Sequence, residues 1–551
     1  MVIQNPLDYN PSMRRFWLIL LLLLFCSLAC RAVVDRLSPP AAAPVTATAR
    51  QVAIASPIPI TGTPLLQATP TATLAPDTIL PAGEMISPGS FSVRFHPDGP
   101  LFVGDQVSLE VIPDGAMDLE GQQVEVRLKD SDQVLGTAGF GIYGIGRRTQ
   151  ATLLWAWNTA GLEPGTYELV FTLQPLGAIW SEKQILLPEA LAPAPQARWE
   201  TVENDCCTVS FIRGTESERD LEELLDLLDT QAKEAALLLG TDFETKIPIT
   251  FLPRVVGHGG FAGREISVSY LDRDYAGGDT GIVLLHEMVH LLDGRFQNQQ
   301  RLSLLVEGLA VYLSGGHFKQ EPLLARSAAL LPPEEGCVQA QVVISHELQD
   351  SFKAPVCGLD RYLPLKELFD DFYFAQHEIG YLQAGALVEF MVNTWGWEDF
   401  ELFYRDIQPL REPDGSERQG EPSEVVSQAL QKHFKLSLDE LEQRFLAVLE
   451  QEPLQAEWVE DVRLTVEYYD TVRDYQRVLD PSAYFLFAWL PDSQEMRERG
   501  IIADFVRRPS APENVELEIL LVEADSALRQ GDYRQAQESL KRVQAYLNLA
   551  Q

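Results

Sequence analysis

The sequence predicts a multidomain protein with an all-β N-terminal part, a central α+β domain and a smaller α-helical C-terminal region. Apolar residues alternate with period two across residues 91–192, which is typical of short strands. Helical and strand-like apolar patterns follow one another across 193–454, whereas 455–551 is mostly polar with helical periodicity. At 551 residues the chain is also too long for one domain.

Residues 1–30 have the composition of an export signal. Arg14 and Arg15 precede the apolar run Phe16–Ala29, which is short for a spanning helix and typical of a signal-peptide core. The residues before Cys30 resemble both a signal-peptidase site and a lipoprotein box, so cleavage, lipidation of Cys30 and an uncleaved anchor all stay open. Each alternative predicts an extracytoplasmic protein, tethered to the membrane by its N terminus or secreted.

Residues 31–90 are rich in Pro, Thr and Ala and show no apolar period. Such a composition has little to bury, so it predicts an extended, disordered linker. A linker behind an anchor would hold the folded part away from the membrane.

Several short alternating segments between 91 and 192 are separated by turn signals such as Pro113-Asp114-Gly115. This spacing predicts an antiparallel β-sandwich of immunoglobulin-like type. The alternating apolar positions are Val107, Leu109, Val111, Val124, Val126, Leu128, Leu153, Trp155, Trp157, Tyr167, Leu169, Phe171 and Leu173. We interpret the Trp pair as packing residues, with a sugar-binding platform as the minority alternative.

The central domain contains the sequence His-Glu-Met-Val-His at positions 286–290. On a helix His286 and His290 lie on one face, one turn apart, so both imidazoles can reach one metal ion, with Glu287 close by. The flanking residues are apolar, so this helix should be buried, capped at its start by Asp279 or Thr280. H-E-x-x-H is a known signature of catalytic zinc helices.

A second apolar helix is interrupted by a single carboxylate, Glu307. A buried carboxylate is costly unless it is paired or coordinates a cation, which makes Glu307 a candidate third ligand. Gly308 and Ala310 are small, so we expect this helix to pack closely on the His286 helix. His286, His290 and Glu307 then form a two-His, one-Glu set with an open fourth position.

The H-E-x-x-H helix with the downstream E-G-x-A-x-Y sequence at 307–312 resembles the gluzincin metallopeptidases, closest to the peptidase MA-like group. The resemblance covers about Arg198 to Leu449, predicts a metallopeptidase domain at 193–454 and implies a zincin-type fold that binds one Zn²⁺. Its layout predicts a long helix over Leu221–Leu239, a strand over Ile247–Leu252, and a Gly-rich hairpin leading into a strand from Glu265. The family often has Trp where this chain has Leu304.

The resemblance implies hydrolysis of a peptide bond, with Glu287 as the general acid and base at a zinc-activated water. It makes Tyr381 the candidate donor to the developing oxyanion. Tyr312 and His317 are weaker candidates, and we interpret His317, after Gly315-Gly316, as a surface loop residue.

Members of this family bind substrate by strand addition, which makes Glu265, Ile266 and Ser267 the candidate edge-strand contacts. The expected partner is therefore a peptide or protein. Asp293 follows His290 by about one turn, but its role beside the metal ligands stays open.

Four Cys follow the export segment, which allows three disulfide connectivities in an oxidising compartment. Cys337 and Cys357 bracket a loop after the metal-site helices and are expected to form one bridge. The pairing of the adjacent Cys206 and Cys207 stays open, because a bond between neighbours strains the backbone.

In the C-terminal region, Leu520–Leu540 resembles one tetratricopeptide-type helix pair. One repeat cannot bury its own apolar face, so we expect it to pack on the preceding helices rather than form a binding solenoid.

The formal charge of −37 argues against nucleic acid as a partner. The leading hypothesis is an exported zinc metallopeptidase. One alternative is a catalytically silent surface protein that keeps a peptidase fold for binding, although the intact Glu287 argues against it. Another is a zinc hydrolase acting on a non-peptide amide.

Overall fold

The computed structural model describes residues 90–550 apart from 116, 130, 132, 144–147, 295–299, 334–337, 346–349, 375–376, 413 and 490–491. All of these residues belong to one compact unit. The predicted export signal, with Cys30, and all but the last residue of the linker lie outside the described residues. Within the described residues, no helix has the length and apolarity needed to cross a membrane.

Eight strands form the N-terminal region, and their side chains enclose one apolar core. They are β1 (Phe91–His96), β2 (Leu101–Phe102), β3 (Gln106–Pro113), β4 (Gln123–Leu128), β5 (Val134–Tyr143), β6 (Arg148–Asn158), β7 (Gly165–Gln174) and β8 (Ala178–Leu187). The hydrogen-bonded order is β1-β3-β6-β5-β4-β7-β8-β2. The β-rich character is confirmed, and the immunoglobulin-like assignment stays a prediction.

Period two fails at one residue of β6. Leu153 and Trp157 both face the β-region core, but Trp155 between them belongs to a different apolar cluster, beside Phe485. Trp155 has a φ of +44°, and the pairing of β6 with β3 shifts register at this point. The irregularity therefore turns Trp155 toward the C-terminal helices, where the Arg499 guanidinium lies 5.0 Å from its ring centroid.

A five-stranded sheet organises the central region, in the order β12-β13-β11-β10-β9. Its strands are β9 (Trp199–Glu203), β10 (Cys207–Ile212), β11 (Ile247–Leu252), β12 (Gly260–Ala262) and β13 (Ile266–Ser269). β10, β11 and β13 are parallel, whereas β9 and β12 are antiparallel edge strands. The apolar residues of this sheet pack against the surrounding helices in the largest core of the described chain.

Ten helices of the central region surround or follow this sheet. They are α1 (Glu216–Arg219), α2 (Leu221–Leu239), α3 (Thr280–Asp293), α4 (Ser303–Ser314), α5 (Leu323–Ala328), α6 (Leu365–Asp370), α7 (His377–Trp395), α8 (Trp397–Arg405), α9 (Pro422–His433) and α10 (Leu438–Leu449). Two short ladders, β14 (Val338–Ser345) with β15 (Asp350–Val356) and β16 (Leu410–Arg411) with β17 (Glu417–Arg418), complete it. The helix and the strand predicted at 221–239 and 247–252 occur with those bounds.

Gly308 of α4 faces a different partner from the one expected. A Cβ at Gly308 would lie 2.5 Å from the Ala384 carbonyl oxygen and 3.0 Å from the Val388 side chain, both on α7. A Cβ at Gly385 of α7 would lie 2.5 Å from the Val311 side chain of α4. We expected Gly308 to allow close packing on the His286 helix. That expectation is wrong, because the side of Gly308 where a Cβ would lie faces α7.

The C-terminal region is helical, with α11 (Ala456–Leu479), α12 (Pro481–Trp489), α13 (Ser493–Arg499), α14 (Ala503–Val506), α15 (Pro512–Gln530) and α16 (Tyr533–Ala550). α15 and α16 form the expected hairpin, joined at Gly531, which has a φ of +73°. Apolar residues of this hairpin share a core with Leu464, Tyr468 and Val472 of α11. The prediction that the helix pair packs on preceding helices is confirmed.

The structure pairs the two adjacent cysteines, with a disulfide between Cys206 and Cys207 at the start of β10. Cys357 is also disulfide-bonded. Its predicted partner, Cys337, lies outside the described residues, so that bridge stays a prediction.

Candidate metal centre

The H-E-x-x-H sequence forms the middle of α3. The helix starts at Asp279, whose carboxylate accepts hydrogen bonds from the Gly281 and Ile282 backbone N–H groups. His286 and His290 project from one face, with ring centroids 4.6 Å apart and ring planes nearly perpendicular. Their Nε2 atoms lie 3.0 Å apart. The helix therefore points both ring nitrogens at one spot, as the four-residue spacing predicts.

α4 brings Glu307 to the same place. Its Oε2 lies 3.3 Å from His286 Nε2 and 3.1 Å from His290 Nε2, and the residue is only 7% exposed. The structure thus brings together the three side chains predicted as metal ligands. Across the described residues, this is the only cluster of His, Cys, Asp or Glu that meets the geometric requirement for holding an ion.

The spacing of these three atoms fits a small dication. Ligands bound about 2.0–2.1 Å from a tetrahedral ion lie roughly 3.3–3.4 Å from one another, close to the separations observed. One shared proton could form a hydrogen bond within only one of the three pairs of ligand atoms. In the other two pairs, lone pairs would face each other. Two imidazoles and a carboxylate are also the donor types that divalent transition metals accept. The residues present can therefore hold a metal ion.

The three side chains interact strongly through their charges. Burial works against ionisation of Glu307, but the charges and hydrogen bonds of His290 and His286 outweigh it and hold its pKa well below the usual value. Burial likewise disfavours protonated imidazole, yet the Glu307 carboxylate raises the pKa of His290 to about 9. Burial dominates at His286 and lowers its pKa. Glu307 is thus an ionised carboxylate inside the protein, and a positive charge beside it, either a protonated imidazole or a metal ion, offsets the cost of its burial.

Glu287 points toward the edge of the central sheet. A Cβ at Gly260 of β12 would lie 3.4 Å from Glu287 Oε1, and the Ala262 backbone N–H donates to the Glu287 carboxylate. Burial raises the pKa of Glu287 to about 7. The carboxyl group can therefore take or give a proton near neutral pH, and it lies between α3 and β12.

The strand predicted to bind substrate is not at the edge of the sheet. Ile266 pairs with Ile249 of β11 on one side and with Ala262 of β12 on the other, so β13 has no free side. Glu265 is buried and accepts two hydrogen bonds from Arg497, and Ser267 is hydrogen-bonded to the Ser493 hydroxyl. The edge-strand placement of Glu265, Ile266 and Ser267 is therefore wrong. The Gly-rich hairpin places β12 outside β13, so β12 is the edge strand on this side of the sheet.

Tyr381 lies beside the metal ligands, on α7. Its ring centroid is 6.2 Å from that of His286. Burial and the nearby carboxylates of Glu307 and Glu287 raise its pKa well above the usual value. The hydroxyl therefore keeps its proton and can act as a hydrogen-bond donor.

His317 stands next to Tyr381, so its interpretation as a surface loop residue is wrong. It is 9% exposed, and its ring stacks on Tyr381 with centroids 4.0 Å apart. The chain reverses at Gly315, in the left-handed region at a φ of +76°, and returns His317 to the site. The Tyr312 hydroxyl lies elsewhere. Burial raises its pKa, and the nearby charge that adds to this rise belongs to Glu389.

One residue of the site escaped the sequence analysis. The Tyr373 hydroxyl donates to Glu307 Oε1 at 2.8 Å, from the short 3₁₀ helix Phe372–Phe374. Tyr373 carries no periodic signal that could have predicted this contact.

Asp293 does not orient a ligand by a hydrogen bond. It is fully buried and forms an ion pair with Arg301. The Nδ1 atoms of His286 and His290 have no hydrogen-bond partner among the residues that the structure describes.

No protein-family model and no curated protein matches this chain. Among solved structures, it is weakly similar to an aminopeptidase N family protein from Idiomarina loihiensis, with 8% sequence identity and a TM-score of 0.20. The alignment covers 76% of this chain and 77% of that chain. A similarity this distant does not define the fold or the chemistry of this chain.

Proposed function

We propose that this protein is an exported zinc metallopeptidase of gluzincin type. The observation that carries the proposal is the convergence of His286, His290 and Glu307 on one point, with the buried carboxyl group of Glu287 beside them. Three protein ligands with an open fourth position are the pattern of catalytic rather than structural zinc sites. Export is proposed from residues 1–30, and a peptide or protein substrate from the chemistry of the site.

The metal ion, Glu287 and Tyr381 have separate roles in the proposed reaction. Zn²⁺, when bound, lowers the pKa of its water and polarises the scissile carbonyl. Glu287 accepts the proton of the attacking water and returns it to the leaving amine. This role is supported by the burial of its carboxyl group between its own helix, α3, and β12. Tyr381 donates a hydrogen bond to the oxyanion as it forms.

We further propose that β12 receives the substrate. Its outer side pairs with no other described strand and lies beside Glu287, which accepts from the Ala262 N–H, so a peptide can add to the remaining backbone groups by hydrogen bonds. This role replaces the one first expected of Glu265, Ile266 and Ser267.

The test compares the wild-type chain with Glu287→Gln in digestion of a peptide library, with and without a chelator. Glu223→Gln, an exposed acid on α2, is the matched control. We expect wild type and control to cleave peptides only when metal is present, with about one zinc per chain. Glu287→Gln should keep the zinc and lose at least about 10²-fold in rate.

Equal cleavage by wild type and Glu287→Gln, or a folded wild type without metal, would contradict the proposal. Peptide binding without cleavage by any variant would instead favour a silent surface binding protein. Cleavage confined to non-peptide amides would favour the other alternative hydrolase.

A further inference from the structure

Helix α11, from the C-terminal region, lies against the metal centre. Tyr469 and Arg473 are four residues apart and so share one face of α11. Tyr469 stacks on Phe318 with ring centroids 4.3 Å apart, directly after His317 in the chain. A Cβ at Gly277, just before α3, would lie 2.6 Å from the Tyr469 hydroxyl oxygen. This face of α11 therefore packs on two of the segments that border the metal ligands.

Arg473 forms a two-pronged ion pair with Glu378 in the first turn of α7. Its two terminal nitrogens lie 3.4 and 3.2 Å from the two carboxylate oxygens of Glu378. Glu378 is buried, and His258 lies 3.7 Å from it. Arg473 also contacts Asp470 on its own helix. A buried carboxylate held by a guanidinium fork has one favoured geometry, so the pair fixes the start of α7 against α11.

Tyr381 follows Glu378 by three residues, within the next turn of α7. A shift of the first turn of α7 would therefore carry the Tyr381 hydroxyl with it. The metal ligands lie on α3 and α4, and neither of those helices contains Glu378. The Arg473–Glu378 pair thus bears on the position of Tyr381 more directly than on the metal ligands.

We propose that Arg473 is a positioning residue for Tyr381, acting through Glu378. The inference rests on the proposed peptidase function, in which Tyr381 donates to the oxyanion. It makes the C-terminal helical region a part of the active site and not an appendage.

A second contact between α11 and the site region supports the proposal. Asp461 of α11 is fully buried and pairs with both Lys319 and Arg326. Lys319 follows His317 by two residues, and His317 stacks on Tyr381. α11 therefore supports Tyr381 from two sides, through α7 and through the loop that carries His317.

The experiment uses the full zinc-loaded chain and the variants Arg473→Met, Arg473→Lys and Arg477→Met. Arg477 is the matched control, because it lies one turn further along α11, is half exposed and pairs only with Asp474 in the described structure. The variants are compared by kcat and KM on a cleaved peptide, by zinc content, and by calorimetric binding of a phosphinic peptide, which mimics the tetrahedral intermediate. Each is also made in a Tyr381→Phe background.

A donor that acts only on the transition state changes kcat and leaves KM unchanged. We expect Arg473→Met to lower kcat at least about tenfold and to weaken phosphinic-peptide binding similarly, with zinc content and KM nearly unchanged. Arg473→Lys should recover part of the loss, since it keeps the charge but not the fork. Arg477→Met should match wild type. In the Tyr381→Phe background, Arg473→Met should lower kcat less than about twofold further.

The inference is overturned if Arg473→Met keeps kcat and phosphinic-peptide binding within about twofold of wild type. It is also overturned if the variant loses more zinc than Tyr381→Phe does, which would place its effect on the metal ligands, or if its effect multiplies with that of Tyr381→Phe. A wild-type chain that cleaves no peptide overturns the proposed function itself, and that result is visible before any variant is made.

Discussion

Both carboxylate oxygens of Glu307 make contacts within the candidate metal centre. One of its oxygens faces both imidazoles, and the other accepts the hydrogen bond from Tyr373. The Tyr373 hydroxyl therefore fixes the plane of the carboxylate and so the direction in which Oε2 points. Such supporting contacts around metal ligands commonly govern metal affinity.

Replacing Tyr373 by Phe should weaken metal binding, because Glu307 then loses one of the two tyrosine hydroxyls that hydrogen-bond its carboxylate. We expect zinc affinity to fall about 10–100-fold, measured by competition with a chromophoric chelator. Tyr312→Phe is the control, since the charge near that hydroxyl belongs to Glu389 and not to Glu307. Equal zinc affinity of Tyr373→Phe and wild type would show that the 2.8 Å contact does not orient the ligand.

Asp504 links stability to pH at a site far along the chain from the metal ligands. It is 2% exposed, and one of its carboxylate oxygens has no hydrogen-bond partner within the described residues. Burial raises its pKa from 3.8 to about 6, against the opposing charges of His96 and Arg254. The folded state therefore binds this proton more tightly than the unfolded state does.

Because the folded pKa lies above the unfolded one, the contribution of Asp504 to stability falls as pH rises from about 4 to about 6 and then stays constant. The loss is on the order of 3 kcal/mol. Asp504→Asn should remove this dependence and raise the free energy of unfolding at pH 7, measured by urea denaturation at pH 4, 5, 6 and 7. Asp226→Asn, on the exposed face of α2, should leave the wild-type pH profile in place. An unaltered profile in Asp504→Asn would contradict the assignment.

At the scale of elements, the contact between α4 and α7 sets the distance between Glu307 and Tyr381. Gly308 lies against the Ala384 carbonyl, and Gly385 lies against Val311, so each helix has a glycine where the other approaches. Helices approach this closely only where side chains are absent. The close contact of α4 with α7 therefore brings the backbone that carries Glu307, a candidate metal ligand, next to the backbone that carries Tyr381, the candidate oxyanion donor.

Gly308→Ala should separate α4 from α7, because its Cβ would lie 2.5 Å from a backbone oxygen that cannot rotate away. We expect a loss of about 1–3 kcal/mol in the free energy of unfolding and weaker zinc binding. Gly139→Ala in β5 is the control, since its Cβ would meet only the Gln122 carbonyl oxygen at 3.8 Å. A Gly308→Ala variant as stable as wild type would mean that the two helices adjust at no cost.

At the scale of the molecule, buried polar contacts join the N-terminal β region to the C-terminal helices. His96 of β1 is hydrogen-bonded to Ser482 of α12 and to Glu110 of β3, each at 2.9 Å. Arg507 donates to both carboxylate oxygens of Asp105, at 2.5 and 2.6 Å. These residues come from opposite ends of the described chain, so the β region and the C-terminal helices should unfold together.

Arg507→Met should test this coupling, because it leaves the buried Asp105 carboxylate without its cation. We expect a loss of about 3–5 kcal/mol in the free energy of unfolding, measured with urea. Arg542→Met breaks an ion pair with Glu516 in which both side chains are more than half exposed, and should cost less than about 1 kcal/mol. A second, separate unfolding transition in wild type would show that the two regions are not coupled.

Much of the local structure could be predicted from the sequence. The bounds of α2 and β11, the alternating core residues of the β region other than Trp155, and the shared face of His286 and His290 all follow from fixed repeats along the chain. Two errors have a common cause. The burial of His317 and the packing of Gly308 on α7 each depend on which segments, distant in sequence, come to lie together. The placement of β12 outside β13 depends instead on how the short hairpin between these strands folds onto the sheet.

The candidate metal ligands could be predicted from the sequence alone, because the spacing on one helical turn and a single carboxylate in an apolar helix point to them without knowledge of the rest of the chain. The position of β12 at an edge of the sheet, the contact of Tyr373 with Glu307, and the ion pair of Arg473 with Glu378 all follow from the packing of the folded chain. Secondary structure is set by interactions between residues a few positions apart. Contacts between segments far apart in the sequence are set by the packing of the whole chain, and no short pattern records them.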